Sequence, residues 1–314
     1  MARTPHASRN TLPPGTPALA RSGSLVLVLP PTAWRIGGPD ALDVAGLHLK
    51  RKRELHITLA NSAVLDGIAD EALALAQRRH WRPLRTGDAA LIGDPERAGR
   101  GSLVEWVELA GFHAFRRELG ELRGTAVPHA LPHITQYASD ARGIGLPDLQ
   151  TTARRRLAEL RLPGLATRMP ACSAASVRRS YADGRSVLPP DVTVRLRRRD
   201  PRIDAWLEAH AAKQAWIVSA ADPLGAASPR AGNAVRWALL DAALRREGIR
   251  SVEVCGQEDD GEPMRASLCL LDTDERDIDR FLLEYEQLAA VRVQAGRAPS
   301  LRLHPALRVE GGTP

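Results

Sequence analysis

Cysteine is scarce in this 314-residue chain: Cys172, Cys255 and Cys269 are all there is, and none stands in a C-x-x-C spacing. That argues against a disulfide framework and against a cysteine-built zinc site, and it fits a cytoplasmic protein in a reducing compartment. Long apolar runs are also missing. No stretch approaches the roughly 20 residues that span a bilayer, so no membrane association is expected. The first 22 residues carry Arg3 and Arg9 but no continuous apolar segment, unlike a secretory signal. Their Pro, Ser, Thr and Arg content predicts a disordered leader over residues 1–22. Lysine is rarer than its usual share. Only Lys50, Lys52 and Lys213 are lysines, so 41 of the 44 cationic side chains are arginines, against 37 acidic residues and a net charge of +7. Arginine suits bidentate recognition of phosphate, which points to a polyanionic ligand; a GC-rich coding bias accounts for the same composition equally well.

What is present is enough for two domains. Ser24–Pro30 reads as a buried strand stopped by Pro30 and Pro31, and Glu54–Leu59 as a second strand. Helical spacing runs over Ala63–Arg79 and Phe112–Leu122, and strands are expected at Leu103–Leu109 and Leu131–Tyr137. Leu149–Leu162 reads as a helix. Ser173–Tyr181 and Val192–Arg198 read as two strands around the turn signal Asp183-Gly184, closing the first domain. Strands and helices alternate without a βαβ rhythm, which predicts an α+β fold. Polarity peaks at Arg199-Asp200-Pro201-Arg202, so the boundary is expected there, with one domain over 23–199 and a small α+β domain over 200–314. In the second domain, Asn233 and Asp274 are candidate helix caps.

The chemistry concentrates in two triplets. Nine histidines are present, and a histidine followed two places later by Ser or Thr arises by chance about once in such a chain; His6-Ala7-Ser8 in the leader has that character. Leu55-His56-Ile57-Thr58-Leu59 and Pro132-His133-Ile134-Thr135-Gln136 differ, because both share the same core triplet and both fall on predicted strands. Residues two apart on a strand project from one face, so each triplet offers an imidazole beside a hydroxyl. Either triplet alone reads as half-buried strand residues satisfied by their neighbours; the matched pair reads as a site. Each is followed by a polar loop and a predicted helix, the outline of an internal duplication. Histidine can serve as general acid or base near neutral pH, and two hydroxyls can hydrogen-bond the non-bridging oxygens of a phosphate. Neither triplet has a carboxylate or cysteine at ligand spacing, so no metal and no cofactor are expected.

This pattern resembles the two-histidine (2H) phosphoesterase superfamily, which includes 2′–5′ RNA ligase-like proteins and cyclic nucleotide phosphodiesterases. The resemblance covers roughly Ser24 to Arg199. It implies a bilobal domain with pseudo-two-fold antiparallel sheets, whose cleft carries His56, Thr58, His133 and Thr135 as catalytic residues. One histidine would act as base and the other as acid, on a 2′,3′-cyclic phosphate or 2′–5′ linkage of RNA or a small nucleotide. Tyr137 matches an aromatic often found two places after the second Thr, and shares a predicted face with His133 and Thr135; it is expected as cleft wall, with plain packing the alternative. No aromatic follows the first triplet. In the run Arg51-Lys52-Arg53, Arg53 is the candidate substrate-binding cation, with a solvated strand entry as the alternative. The C-terminal part resembles an uncharacterised small bacterial domain through Ala220-Ala221-Asp222-Pro223, Asn233 and Gln287, which implies a boundary and no activity. The rival from another class is a non-catalytic RNA- or nucleotide-binding protein that keeps the cleft. Nothing in the sequence signals an oligomeric state.

Overall fold

The computed structural model describes residues 15–141, 143–165, 168–182, 184–257 and 263–309. Two antiparallel sheets organise them, and the class is α+β as expected. The N-terminal elements are β1 (Pro17–Leu19), β2 (Leu25–Leu29), α1 (Pro31–Trp34), β3 (Ala41–Val44), β4 (Leu47–Arg51), β5 (Leu55–Ala60) and α2 (Ala69–Gln77). Then come β6 (Pro83–Gly93), β7 (Gly101–Leu109), α3 (Phe112–Arg123), β8 (His133–Ala138), α4 (Leu149–Arg155) and β9 (Arg156–Arg161). The remainder comprises α5 (Ala174–Ala182), β10 (Arg185–Leu188), β11 (Val192–Arg195), α6 (Pro201–Ala209), β12 (Gln214–Ser219) and α7 (Arg230–Arg246). It ends with β13 (Ser251–Gln257), β14 (Pro263–Leu271), α8 (Glu275–Glu284), β15 (Ala289–Gln294), β16 (Ser300–Leu303) and α9 (Pro305–Val309). No helix among the described residues is long and apolar enough to cross a membrane.

The first sheet runs β1-β2-β5-β8-β7-β6-β9, with β3 paired to β4 and β4 to the C-terminal half of β8. Alternation along its strands divides the residues between two faces. On one face, Leu27, Leu55, Ile57, Leu59 and Ile134 pack against Ala72 and Ala76 of α2 and Phe112, Phe115 and Leu119 of α3. Helix α3 is bounded by left-handed glycines, Gly111 (φ 80) and Gly124 (φ 70), a conformation that glycine adopts without a Cβ penalty. The second sheet runs β11-β10-β13-β14-β12-β15-β16.

Several expectations are corrected. The expected leader over residues 1–22 does not hold at its C-terminal end: residues 1–14 lie outside the described residues, and Pro17–Leu19 pairs with β2. The helix expected over Leu149–Leu162 is α4 followed by strand β9, where Ala158 and Leu160 point inward and Leu157 and Glu159 are exposed. A short run with apolar residues at 157, 158 and 160 fits both periods, and pairing with β6 decides for the strand. Ser173–Tyr181 is helical: α5 starts beside Ser173, whose Oγ accepts from Ser176 N at 3.2 Å. The hairpin β10–β11 belongs to the second sheet, since β10 pairs with β13. The change of sheet therefore falls between Arg161 and Arg185, not at Arg199–Arg202, and Asp183 of the expected turn lies outside the described residues. Asn233 is not a cap, because α7 begins at Arg230. Its Oδ1 accepts from Asp222 N at 3.0 Å and its Nδ2 donates to Asp222 Oδ1 at 2.9 Å. Gln287 Nε2 donates to Ala221 O at 2.9 Å, so the residues behind the C-terminal resemblance form one cluster around that turn. Asp274 does cap α8, accepting from Asp277 N at 2.8 Å.

The two sheets share α7. Val235 and Leu239 enter the core of the first sheet beside Leu49, Leu103, Tyr137 and Leu160, while Leu240 and Leu244 enter the core of the second with Trp216 and Phe281. Gly232 permits the close approach: a Cβ there would stand 2.9 Å from Glu159 O. Arg236, fully buried, donates to Ala220 O at 2.6 Å, to Arg161 O at 2.5 Å, and also to Tyr285 O. It ties β9 of one sheet to two segments of the other. The halves are thus one packing unit, and the independent folding implied by a boundary at Arg199 is not expected. A chain ending at Arg199 should bind a hydrophobic dye and lack a cooperative melt, since it exposes the face that α7 covers. Arg236→Met strands three buried carbonyls and should cost about 2–4 kcal/mol in denaturant unfolding. A fully cooperative, native-like 1–199 fragment would contradict this.

Candidate active site

Strands β5 and β8 lie side by side at the centre of the first sheet, bridged at Ile57–Ile134. Extending that antiparallel ladder by one residue each way sets His56 across from Thr135 and Thr58 across from His133. Both isoleucines are fully buried against the α2–α3 side. Strand alternation then turns His56, Thr58, His133 and Thr135 to the opposite face, where all four are half-buried. The four motif residues are thereby brought together as a two-by-two patch, each imidazole beside the other strand's hydroxyl.

Tyr137 does not join them. β8 pairs Thr135 with Val104 but Tyr137 with Leu103, so Gln136 is an extra residue in β8, a β-bulge. Beyond the bulge the alternation is reset and Tyr137 turns to the packed face, beside α7. It is 1% exposed and its hydroxyl donates to Pro39 O at 2.8 Å. The expectation that it shares a face with His133 fails for this reason, and the packing alternative holds. The Gln136 side chain holds the bulge in place: Nε2 donates to Trp34 O and to Glu105 Oε2, both at 2.8 Å. Buried Glu105 also takes a bidentate pair from Arg85, each bond 2.7 Å.

The aromatic on the histidine face is Trp106, which pairs with His133 across β7 and β8. The rings meet edge to face, centroids 5.8 Å apart at 77°. Trp106 carries no signal in the sequence beyond its place in a predicted strand, because its partner His133 is 27 residues away. Arg53 sits in the turn between β4 and β5 with its side chain exposed, and its carbonyl accepts from Arg35 Nη2 at 3.2 Å. Arg51 and Lys52 of that run are half-buried.

Electrostatics disfavour charge on both imidazoles. Burial, then the charge of Lys52 and the proximity of His133, pull the His56 pKa from 6.5 down to about 4, with Glu54 opposing. Burial likewise lowers His133, opposed by the Leu131 carbonyl. His133 Nδ1 is 3.0 Å from Leu131 O. A carbonyl can only accept, so Nδ1 carries the hydrogen and Nε2 is left for chemistry. Among the described residues, no group of three or more His, Cys, Asp or Glu is placed to hold a metal ion. A cavity of about 610 Å³ lies instead between α3 and residues 124–129, lined by His113, Arg117 and His129 among others, and none of the motif residues borders it. No family model, curated protein or solved structure matches this chain.

A folded-state pKa of about 4 against 6.5 for ordinary histidine gives a definite pH dependence. Folding disfavours the proton on His56, so the stability contributed by its neutral form is complete above 6.5 and is lost as the pH falls from 6.5 toward 4. The melting temperature should decline over that interval, and His56→Gln, which cannot charge, should make the decline shallower. An identical slope in both proteins would show that His56 is not held neutral.

Proposed function

We propose that this chain is a metal-independent phosphoesterase of the two-histidine type, acting on a 2′,3′-cyclic phosphate or 2′–5′ phosphodiester of RNA or a small nucleotide. The Ile57–Ile134 bridge carries this reading, because it gathers two imidazoles and two hydroxyls on one half-buried face. An antiparallel bridge relates its two strands by a local two-fold axis. The axis interchanges the triplets, so the histidines stand at opposite corners of the patch. Such a diagonal suits in-line displacement: water enters phosphorus from one side and the sugar oxygen departs from the other.

One imidazole takes a proton from the attacking water, the new P–O bond forms, and the P–O bond to the sugar breaks. The other imidazole enters the step as the imidazolium and delivers its extra proton to the departing oxygen, so the step ends with the first ring protonated and the second neutral. Burial disfavours charge on both rings, but Lys52 adds to that effect at His56, whereas the Leu131 carbonyl, accepting from Nδ1, partly offsets it at His133. Environments that differ in this way suit His56 to the base role and His133 to the acid role. The Thr58 and Thr135 hydroxyls donate to the non-bridging oxygens, where negative charge grows.

His56→Ala and His133→Ala should each lower turnover of a 2′,3′-cyclic nucleotide about 10²–10⁴-fold with folding intact. Thr58→Val and Thr135→Val should lower kcat/KM about 10–10³-fold. Tyr137→Phe serves as the control, losing about 1 kcal/mol of stability through its bond to Pro39 while KM stays unchanged. Steady-state kinetics with EDTA present throughout measure all five. Near-full activity in either histidine variant would sink the proposal, and nucleotide binding without turnover in the wild type would point to a binding protein.

A further inference from the structure

Lys52 occupies a position that the two triplets do not explain. Strand β4 hands over to β8 at its end: Arg51 bridges Tyr137, and Lys52 N donates to Gln136 O at 2.9 Å. Its backbone is therefore pinned beside the β8 bulge, next to Thr135. Alternation along β4 sends Leu47 and Leu49 into the core. Arg51 follows them onto the packed face, its guanidinium 5.6 Å from the Tyr137 ring centroid. Lys52 is thus directed to the other face, the one that carries both histidines and both threonines.

The far end of the side chain is also placed. Lys52 Nζ donates to the carbonyl of Ala141, in the segment after β8. That segment passes over the same face: a Cβ on Gly143 would lie 3.6 Å from Thr135 Cγ2, and Ile144 N donates to Ser102 Oγ at 3.1 Å. The ammonium is accordingly held between Ala141 and the patch, close enough to His56 to oppose its charging. An ammonium has three donors, and no other hydrogen bond joins Lys52 Nζ to a described residue. Half-burial lowers the pKa of the ammonium, and the neighbouring Asp140 and Glu54 oppose that shift.

Resting on the phosphoesterase reading for the site it serves, we propose that Lys52 is a phosphate-binding residue of this face, giving its ammonium to a non-bridging oxygen of the phosphoryl group held between the two histidines. The threonine hydroxyls are neutral, and water attack turns a singly charged phosphodiester into a doubly charged phosphorane. A fixed cation beside it favours that gain in charge over the ground state. Lys52, not Arg53, is then the working member of the basic run.

The test uses the full chain with inorganic phosphate as probe, followed by calorimetry, and a 2′,3′-cyclic nucleotide as substrate. Lys52→Met keeps the apolar stem and should weaken phosphate binding about tenfold and lower kcat/KM about 10–10²-fold, with Lys52→Arg restoring part of both. The His56 C2 proton, followed by NMR titration, should shift its midpoint upward in Lys52→Met, a response that a structural lysine distant from the patch would not produce. Should Lys52→Met unfold, Lys52→Gln takes its place in every arm. Phosphate affinity and kcat/KM equal to wild type in Lys52→Met would overturn the proposal while leaving the histidine reading intact. Lys52-dependent phosphate binding without turnover in the wild type would uphold the phosphate site and sink the phosphoesterase reading. Absence of phosphate binding in the wild type would overturn the role of Lys52 as well.

Discussion

The backbone pairing of β5 with β8 at Ile57 and Ile134 is the constraint on which the candidate site depends. Strand side chains alternate with a period of two, so a one-residue slip in register would exchange the faces of a whole strand. Here it would drive an imidazole and a hydroxyl into the α2–α3 core and expose a buried isoleucine. The two isoleucines, both fully buried, oppose that slip with the full cost of uncovering an aliphatic side chain, about 1.5–3 kcal/mol each. Apolar residues at the middle of each triplet thus hold the polar residues at its ends on the open face.

A second device limits how far the face extends. The bulge at Gln136 resets the alternation of β8, so that the motif ends at Thr135 and Tyr137 serves the core instead. Gln136 is almost fully buried, and its amide is satisfied by α1 and by Glu105, itself neutralised by Arg85. This polar network lies directly behind the patch. Each buried polar group in it has a partner, as a rigid support of a site requires.

The reverse face of the same sheet is completed by a helix from the other half of the chain. Gly38 shows how close the packing is: a Cβ there would fall 2.5 Å from Leu239 and 2.7 Å from the Tyr137 hydroxyl. Residues at α7 therefore bear on the far side of the strand that carries His133. The C-terminal half has no motif residue among the four, yet the sheet that positions them is not closed without it.

Local pattern made much of this legible. The central strands β2, β5, β7 and β8, helices α2 and α3, and nearly every element after Pro201 follow from apolar periodicity and turn residues, because those segments bury one well-defined face. The pairing of His56-Ile57-Thr58 with His133-Ile134-Thr135 was likewise visible, since repetition of a triplet on two strands needs no knowledge of the fold. Three features were decided only in three dimensions. Residues 156–161 fit a helix and a strand equally, and the free edge of β6 chose between them. The hairpin β10–β11 carries too little apolar surface to declare a sheet, and its allegiance is set by hydrogen bonds to β13, some 70 residues on. A bulge leaves no mark in composition, so the loss of Tyr137 from the histidine face, and the arrival there of Trp106 and Lys52, came from hydrogen bonding between strands distant in sequence. Side-chain chemistry is written residue by residue; which side chains meet is set by register and packing, and those are properties of the assembled sheet.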